Sequence, residues 1–198
     1  MRKLGLVLSI CTCFYFGFSQ TNGGKEDIPF YDYEGMVLSS EATIKDYELK
    51  TEQLQITGIV YEADGVTPAK DVVIYLYQHD ENGEFQFEEA DGLKRLRHRM
   101  WIKTDNHGHY TFNTFMPGEA VIPLNYPRRY GPKQIYLVAK TNTSEDFNLP
   151  AFVFEGDDLL SKSCLRRLKK KGVDCILSLQ NENGKLVARK NIVLQNQI

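Results

Sequence analysis

The chain changes texture near residue 53. Upstream, residues 20–52 show little hydrophobic periodicity and read as an extended N-terminal arm. Downstream, short β-rich runs alternate with turn chemistry. "LQITGIVYEA" and "DVVIYLYQ" predict strands over 54–63 and 71–78, separated by the turn "DGVTP". "RMWIKTD" (99–105) and "HYTFNTF" (109–115) flank "NHG" as a hairpin. "KQIYLVAKT" (133–141) predicts a longer strand and "PAFVF" (150–154) a short one. A single helix is predicted over 157–171, with Asp157 and Asp158 at its start, a lysine run at its end and Gly172 just beyond. Leu160, Cys164, Leu165 and Leu168 form its apolar stripe, so it lies on a surface. "CILSLQ" and "KLVARKNIVL" close the chain, joined by "NENG" as a hairpin turn. Many short strands with one late surface helix predict a mainly β, single-domain antiparallel β-sandwich over 53–198.

The first nineteen residues read differently. Arg2 and Lys3 precede an apolar run from Leu4 to Phe18, with small residues at Gly17 and Ser19, the layout of a signal peptide over 1–19. The run is shorter than the ~20 residues of a membrane-spanning helix, so no transmembrane span is expected and the destination is secreted or periplasmic. The full chain carries 24 basic and 26 acidic residues. Loss of Arg2 and Lys3 makes the average charge more acidic, which offers no footprint for nucleic acid or an anionic membrane. On that view the lysines ending the helix complement its dipole. Cys164 and Cys175 would remain after cleavage, as a disulfide or as two half-buried thiols.

The order of the pieces carries more than their texture. "YLYQHDENGEF", "RMWIKTDNHGHYTFNTFMP", "YPRRYGPKQIY" and "FVFEGDDLL" follow one another in a way that resembles a secreted bacterial branch of the intradiol ring-cleavage dioxygenases. The resemblance covers about residues 53–198 and implies that family's β-sandwich. Its chemistry implies a mononuclear Fe(III) held by two tyrosinates and two imidazoles. Ferric iron favours anionic oxygen, and a metal is needed to keep a tyrosine, with its free pKa of about 10, ionised near neutral pH.

Residue by residue, that ligand set is substituted. Phe85 closes "NGEF" where the resemblance implies the first tyrosine. Gln134 and Tyr136 in "PKQIY" stand where it implies the two histidines. Tyr126 keeps the spacing of the second tyrosine, although an alignment from "PGEAV" would put Ala120 there instead. The four ligand-equivalent positions, Phe85, Tyr126, Gln134 and Tyr136, thus predict no catalytic residue and no bound metal, with Tyr126 a ligand only if a metal is present. "YDYEGMVL" offers Tyr33-Glu34-Gly35-Met36 where the same branch carries two cysteines around Glu-Gly.

Other candidates have plainer readings. His107 and His109 flank Gly108 at a turn, where solvated residues are expected. His79 and His98 are expected to be exposed. The basic run Lys94, Arg95, Arg97, Arg99 and Lys103 reads as a solvated strand edge that blocks edge pairing. Three functional hypotheses follow. One is a silent scaffold retained for binding, for instance of a small aromatic ligand, or for a structural role, with no cofactor expected. The second is a ring-opening Fe(III) dioxygenase rebuilt around Tyr126 and Tyr136. The third is a module that docks on a cell-envelope protein.

Overall fold

A computed structural model describes residues 29–90, 92–122, 127 and 129–194. The segment 1–19 read as a signal peptide and Tyr126 lie outside them. The strands run β1 (Glu41–Thr43), β2 (Gln53–Tyr61), β3 (Val73–Gln78), β4 (Phe87–Ala90), β5 (Leu93–Leu96), β6 (Arg99–Lys103), β7 (His109–Phe115), β8 (Ala120–Ile122) and β9 (Arg129–Gly131). β10 (Gln134–Lys140), β11 (Phe147–Phe154), helix α1 (Lys162–Lys170), β12 (Ile176–Leu177), β13 (Gln180–Glu182), β14 (Lys185–Arg189) and β15 (Ile192–Val193) complete it.

Two sheets face each other across one core. The larger is ordered β1-β7-β2-β14-β13, with β15 also on β2; the other is β12-β11-β10-β3-β6. Alternation decides which side chains meet between them. From β3 and β10, Ile74, Leu76, Ile135, Leu137 and Ala139 are buried in the interior. From β2 and β7, Leu54, Ile56, Phe112 and Phe115 meet them. Gln78 is the polar exception, and it is satisfied: it accepts from the Thr114 hydroxyl at 2.6 Å and donates to the Phe115 carbonyl at 3.0 Å across the sandwich.

The sandwich is antiparallel at its centre and parallel at four margins, β1 on β7, β14 and β15 on β2, and β12 on β11. β14 and β15 share one side of β2, and the chain between them crosses Gly58. A Cβ there would lie 1.9 Å from the Lys190 carbonyl oxygen, so only glycine permits the crossing.

Several boundaries correct the sequence reading. β6 and β7 are not a hairpin: β6 pairs with β3 and β7 with β2, so Asn106–Gly108 turns the corner between sheets. Both segments are equally β-like, and local pattern does not reveal which sheet each joins. The helix begins at Lys162, because Ser161 caps it by accepting from the Cys164 amide at 3.2 Å. Asp157 is used before the helix, where its carboxylate accepts from the Lys133 and Leu159 amides. The predicted end holds: Gly172 is left-handed, and the Val173 and Gly172 amides return to the Leu168 and Lys169 carbonyls. Cys164 and Cys175 are free thiols, packed in and against the main core.

The arm is shaped by its aromatics. Two 3-10 turns, Pro29–Tyr33 and Tyr47–Leu49, bury Phe30, Tyr31 and Tyr47. Phe30 and Tyr31 pack on Val73 and Tyr75, on the outer face of the five-stranded sheet. The Phe30 carbonyl accepts from the Trp101 indole at 2.8 Å. The Tyr33–Met36 stretch makes a turn there, with the Met36 amide on the Tyr33 carbonyl and Met36 itself 54% exposed.

Candidate functional site

The outer face of the five-stranded sheet carries Gln134 and Tyr136, two of the four positions where the resemblance implies ligands. Among the residues of β3 and β10 that point away from the core are Tyr75, Tyr77, Gln134 and Tyr136, with Trp101 from β6. Register places Tyr136 opposite Tyr77 and Trp101 opposite Tyr75. The rings form a ladder, Tyr136–Tyr77–Tyr75–Trp101, with centroids 5.1, 5.3 and 4.9 Å apart and planes within 27° of parallel.

Phe85 is brought to the end of this ladder by a tight loop. Asp80 organises it, accepting from the Asn82 and Glu84 amides at 2.9 Å and from the Gln86 carboxamide at 2.8 Å. Burial works against that carboxylate, but these hydrogen bonds outweigh it and hold its pKa below the usual range. Gly83 is left-handed, and a Cβ on it would meet the Glu119 carbonyl oxygen at 1.7 Å. The loop is therefore clamped on the 117–121 segment by the Gly118 amide on the Asp80 carbonyl and the Val121 amide on the Gly83 carbonyl.

Phe85 lies 5.9 Å from Tyr136 and 6.1 Å from Tyr77, ring centre to ring centre. Gln134, half-buried, follows Tyr136 on the same face at a two-residue step. Ala120 opens β8 opposite Gly131, and Tyr126 lies outside the described residues.

His79 was expected to be exposed, yet it is 4% exposed. Its ring lies on Phe85 at 4.0 Å and meets Tyr136 edge-on at 5.6 Å. Its Nδ1 has no hydrogen-bond partner, and burial lowers its pKa against the opposing pull of Asp80. The signal was in the sequence: Tyr75, Tyr77 and His79 share one two-residue period, which carries past the end of β3. His98 is likewise buried, 3% exposed and edge-on to Phe115 at 4.9 Å.

These donors do not fit the family's ferric set. Phe85 has no donor atom, and Gln134 supplies at most a neutral carbonyl. Burial raises the pKa of Tyr77 and Tyr136, with Tyr77 also raising Tyr136, which works against phenolate formation. His79 is one imidazole where two are implied. Among the described residues, no group of three or more His, Cys, Asp or Glu is arranged to hold a metal ion. His107 and His109 are exposed on their turn, with the His109 Nδ1 3.1 Å from Asp105.

Beside the ladder, a cleft of about 310 Å³ opens between the arm and the sheet. Pro29, Phe30, Tyr75, Tyr77, Val138 and Asp146 line it. Asp146 accepts from the Tyr31 hydroxyl at 2.7 Å, and that bond, with burial, pushes the Tyr31 pKa up to about 12. In the basic run beside the arm Lys94 and Lys103 are exposed as a solvated edge would be, but the arginines are not. Arg95 is 6% exposed and donates to Asp32 at 2.8 Å, and Arg97 grips both Asp46 oxygens at 2.7 and 2.8 Å. Arg99 reaches Glu88 at 3.3 Å. The strand edge is covered because the arm brings acids to it.

No protein-family model and no curated protein matches the chain. Solved structures do. The dioxygenase domain of a dioxygenase–carbohydrate-binding protein fusion from Streptomyces sp. SirexAA-E aligns over 74% of this chain and 81% of its own, at 17% identity and a TM-score of 0.52. The 3-chlorocatechol 1,2-dioxygenase of Rhodococcus opacus 1CP aligns over 74% of this chain and 60% of its own, at 23% identity and a TM-score of 0.58. Catechol 1,2-dioxygenase from Acinetobacter sp. ADP1 aligns over 81% and 58%, at 14% identity and a TM-score of 0.62. The chain thus spans about three fifths of the length of these two catechol dioxygenases. It has the intradiol-dioxygenase-like fold.

Proposed function

We propose that this protein keeps the scaffold of the ring-cleaving dioxygenases without their ferric chemistry, and works outside the cytoplasm as a binding or structural protein. One observation carries the reading. Phe85 stands where the first tyrosinate is implied, and its ring is packed by His79, Tyr77 and Tyr136. An apolar ring embedded among rings is a packed position, and a lost donor there cannot be replaced from the same side chain. The adjoining cleft is of a size and lining that suit one small aromatic ring. The signal-peptide reading of residues 1–19 supports export.

The test is to purify the exported chain with iron supplied, then measure metal content and visible absorption. The expected outcome is a colourless protein with far less than one iron per chain and no oxygen uptake on catechol. Stoichiometric iron with a tyrosinate-to-iron charge-transfer band and catechol-dependent oxygen uptake would overturn it. Binding has its own readout. Trp101 is the sole tryptophan and stacks on Tyr75, a wall of the cleft, so phenol titration should change its fluorescence.

A second reading, a rebuilt metal site, is favoured by His79, which supplies an imidazole against Tyr136 with a free Nδ1. It requires that any bound metal be lost in His79→Ala.

A further inference from the structure

We propose that the solvent face of α1 is a docking surface for an anionic lipid bilayer. Cys164, Leu165 and Leu168 turn inward and pack against the core, which fixes the orientation of the helix. The other positions from Lys162 to Lys171 hold Lys162, Arg166, Arg167, Lys169, Lys170, Lys171 and one serine, with no acid among them. Lys162, Arg166, Arg167, Lys169, Lys170 and Lys171 are all exposed. Among the described residues, none of these six has an ion-pair partner.

The helix dipole accounts for only part of them. It favours cations in the last turn, where Arg167, Lys169 and Lys170 lie, and disfavours them at the start. Lys162 is the first helical residue, and the first turn contains no acid. Lys162 and Arg166, Arg166 and Lys170, and Arg167 and Lys171 are like charges one turn apart, and each pair is repulsive. Lys162 opposes the dipole and the three like-charged pairs oppose one another, and an external anion would relieve both. The acidic average charge of the whole chain conceals this segment.

The shape of the face selects the partner. Among the described residues, none of the six cations lines any of the three main cavities, and an exposed convex helical face suits a surface rather than a small anion. It presents no aromatic side chain on which a nucleic-acid base could stack. Leu159, just before the helix, is 39% exposed and adds an apolar contact that a bilayer can receive. Headgroup charge attracting a basic helical face supplies the rest.

The test uses the exported chain and sedimentation with vesicles of phosphatidylcholine alone or with a third phosphatidylglycerol, at ~0.1 M salt. Binding is expected on the anionic vesicles only, at least ~10-fold weaker in K162Q/R166Q/K169Q/K170Q and released by ~0.5 M salt. Circular dichroism of that variant shows whether the fold is kept. K162Q/R166Q, which leaves the last-turn cations Arg167, Lys169 and Lys170 in place, is expected to lose an intermediate share. Equal binding to neutral vesicles, binding untouched by either variant, or no vesicle binding with salt-sensitive retention on heparin or duplex DNA would each overturn the proposal.

Discussion

Two stretches of this chain are rich in arginine and lysine, and the fold treats them in opposite ways. Arg95, Arg97 and Arg99 span β5 and β6, and each meets an acid: Asp32, Asp46 and Glu88 respectively. Two of those acids come from the arm, so the cations fasten residues 29–49 across the sheet. Among the described residues the cations of α1 meet no acid, and they face water. In composition the two stretches are nearly alike. What separates them is whether a distant part of the chain returns to neutralise them, and only tertiary structure decides that. Buried guanidinium groups are there for the fold, whereas unpaired exposed ones cost the fold a little and are left free to act on something else.

The comparison breaks most readily at Arg95. Removing Arg95 leaves Asp32, 19% exposed, with Arg99 at 4.0 Å as its remaining cation, so the loss is expected to fall below the ~3 kcal/mol of a fully buried pair. Arg95→Ala is therefore expected to lower stability by less than ~3 kcal/mol in urea denaturation and to loosen the arm, read as faster exchange of the Trp101 indole proton that is bonded to Phe30. A loss below about 0.5 kcal/mol would mean that the arm is held by its aromatics alone.

Acid sharpens the same contrast. Burial lowers the pKa of both His98 and His79, Lys50 adding to the effect at His98. Below their unfolded value of about 6.5, the unfolded chain binds protons that the folded chain refuses, so stability rises with pH through that window and falls as pH drops below it. Asp46 and Glu88 act in a lower window. Their pKa values are depressed, Asp46 chiefly by the Arg97 hydrogen bonds and Glu88 chiefly by Lys45. Their contribution is present above the ordinary carboxylate range and lost as pH falls through the folded values. Two phases of acid destabilisation are expected, and His79→Phe with His98→Phe should flatten the first without moving the second. A single carboxylate phase in the parent protein would count against buried neutral histidines.

What the sequence could and could not convey follows the same division. Strands with strong two-residue alternation were legible: β7 is bounded as its pattern implies, and "NENG" gives left-handed Asn183 and Gly184 between β13 and β14. The grouping of the singled-out residues was legible in part: Phe85 comes to lie 5.9 Å from Tyr136, and Gln134 and Tyr136 stand two residues apart on β10. The burial of Arg95 and His98 was not, and that of His79 showed only as the two-residue period it shares with Tyr75 and Tyr77. Each depends on a segment far along the chain or on a loop clamp, the arm for Arg95 and the Gly83–Glu119 contact for the loop that lays Phe85 on His79. The β4–β5 and β8–β9 hairpins escaped for another reason. β4 and β5 read "FEEA" and "LKRL", charged runs whose pairing is set by Glu88 opposite Arg95 and Glu89 opposite Lys94, not by an apolar face.

The smallest effect tests the other half of the comparison. Lys162 is the first residue of α1, at the positive end of the dipole and one turn from Arg166. Lys162→Glu replaces an unfavourable charge at a helix N-terminus with a favourable one and turns a repulsive pair into an attractive one. Each change is worth a few tenths of a kcal/mol on an exposed helix, so a gain of ~0.5 kcal/mol is expected in the urea midpoint. Arg95→Ala and Lys162→Glu both remove one cation from a basic run, yet their predicted signs are opposite. If α1 holds its charges for an anionic surface, the stabilised variant should bind that surface less well, the usual cost of improving a functional position for stability alone. A loss of stability in Lys162→Glu would instead show that an acid reaches this end of the helix, and the two basic runs would then differ in degree and not in kind.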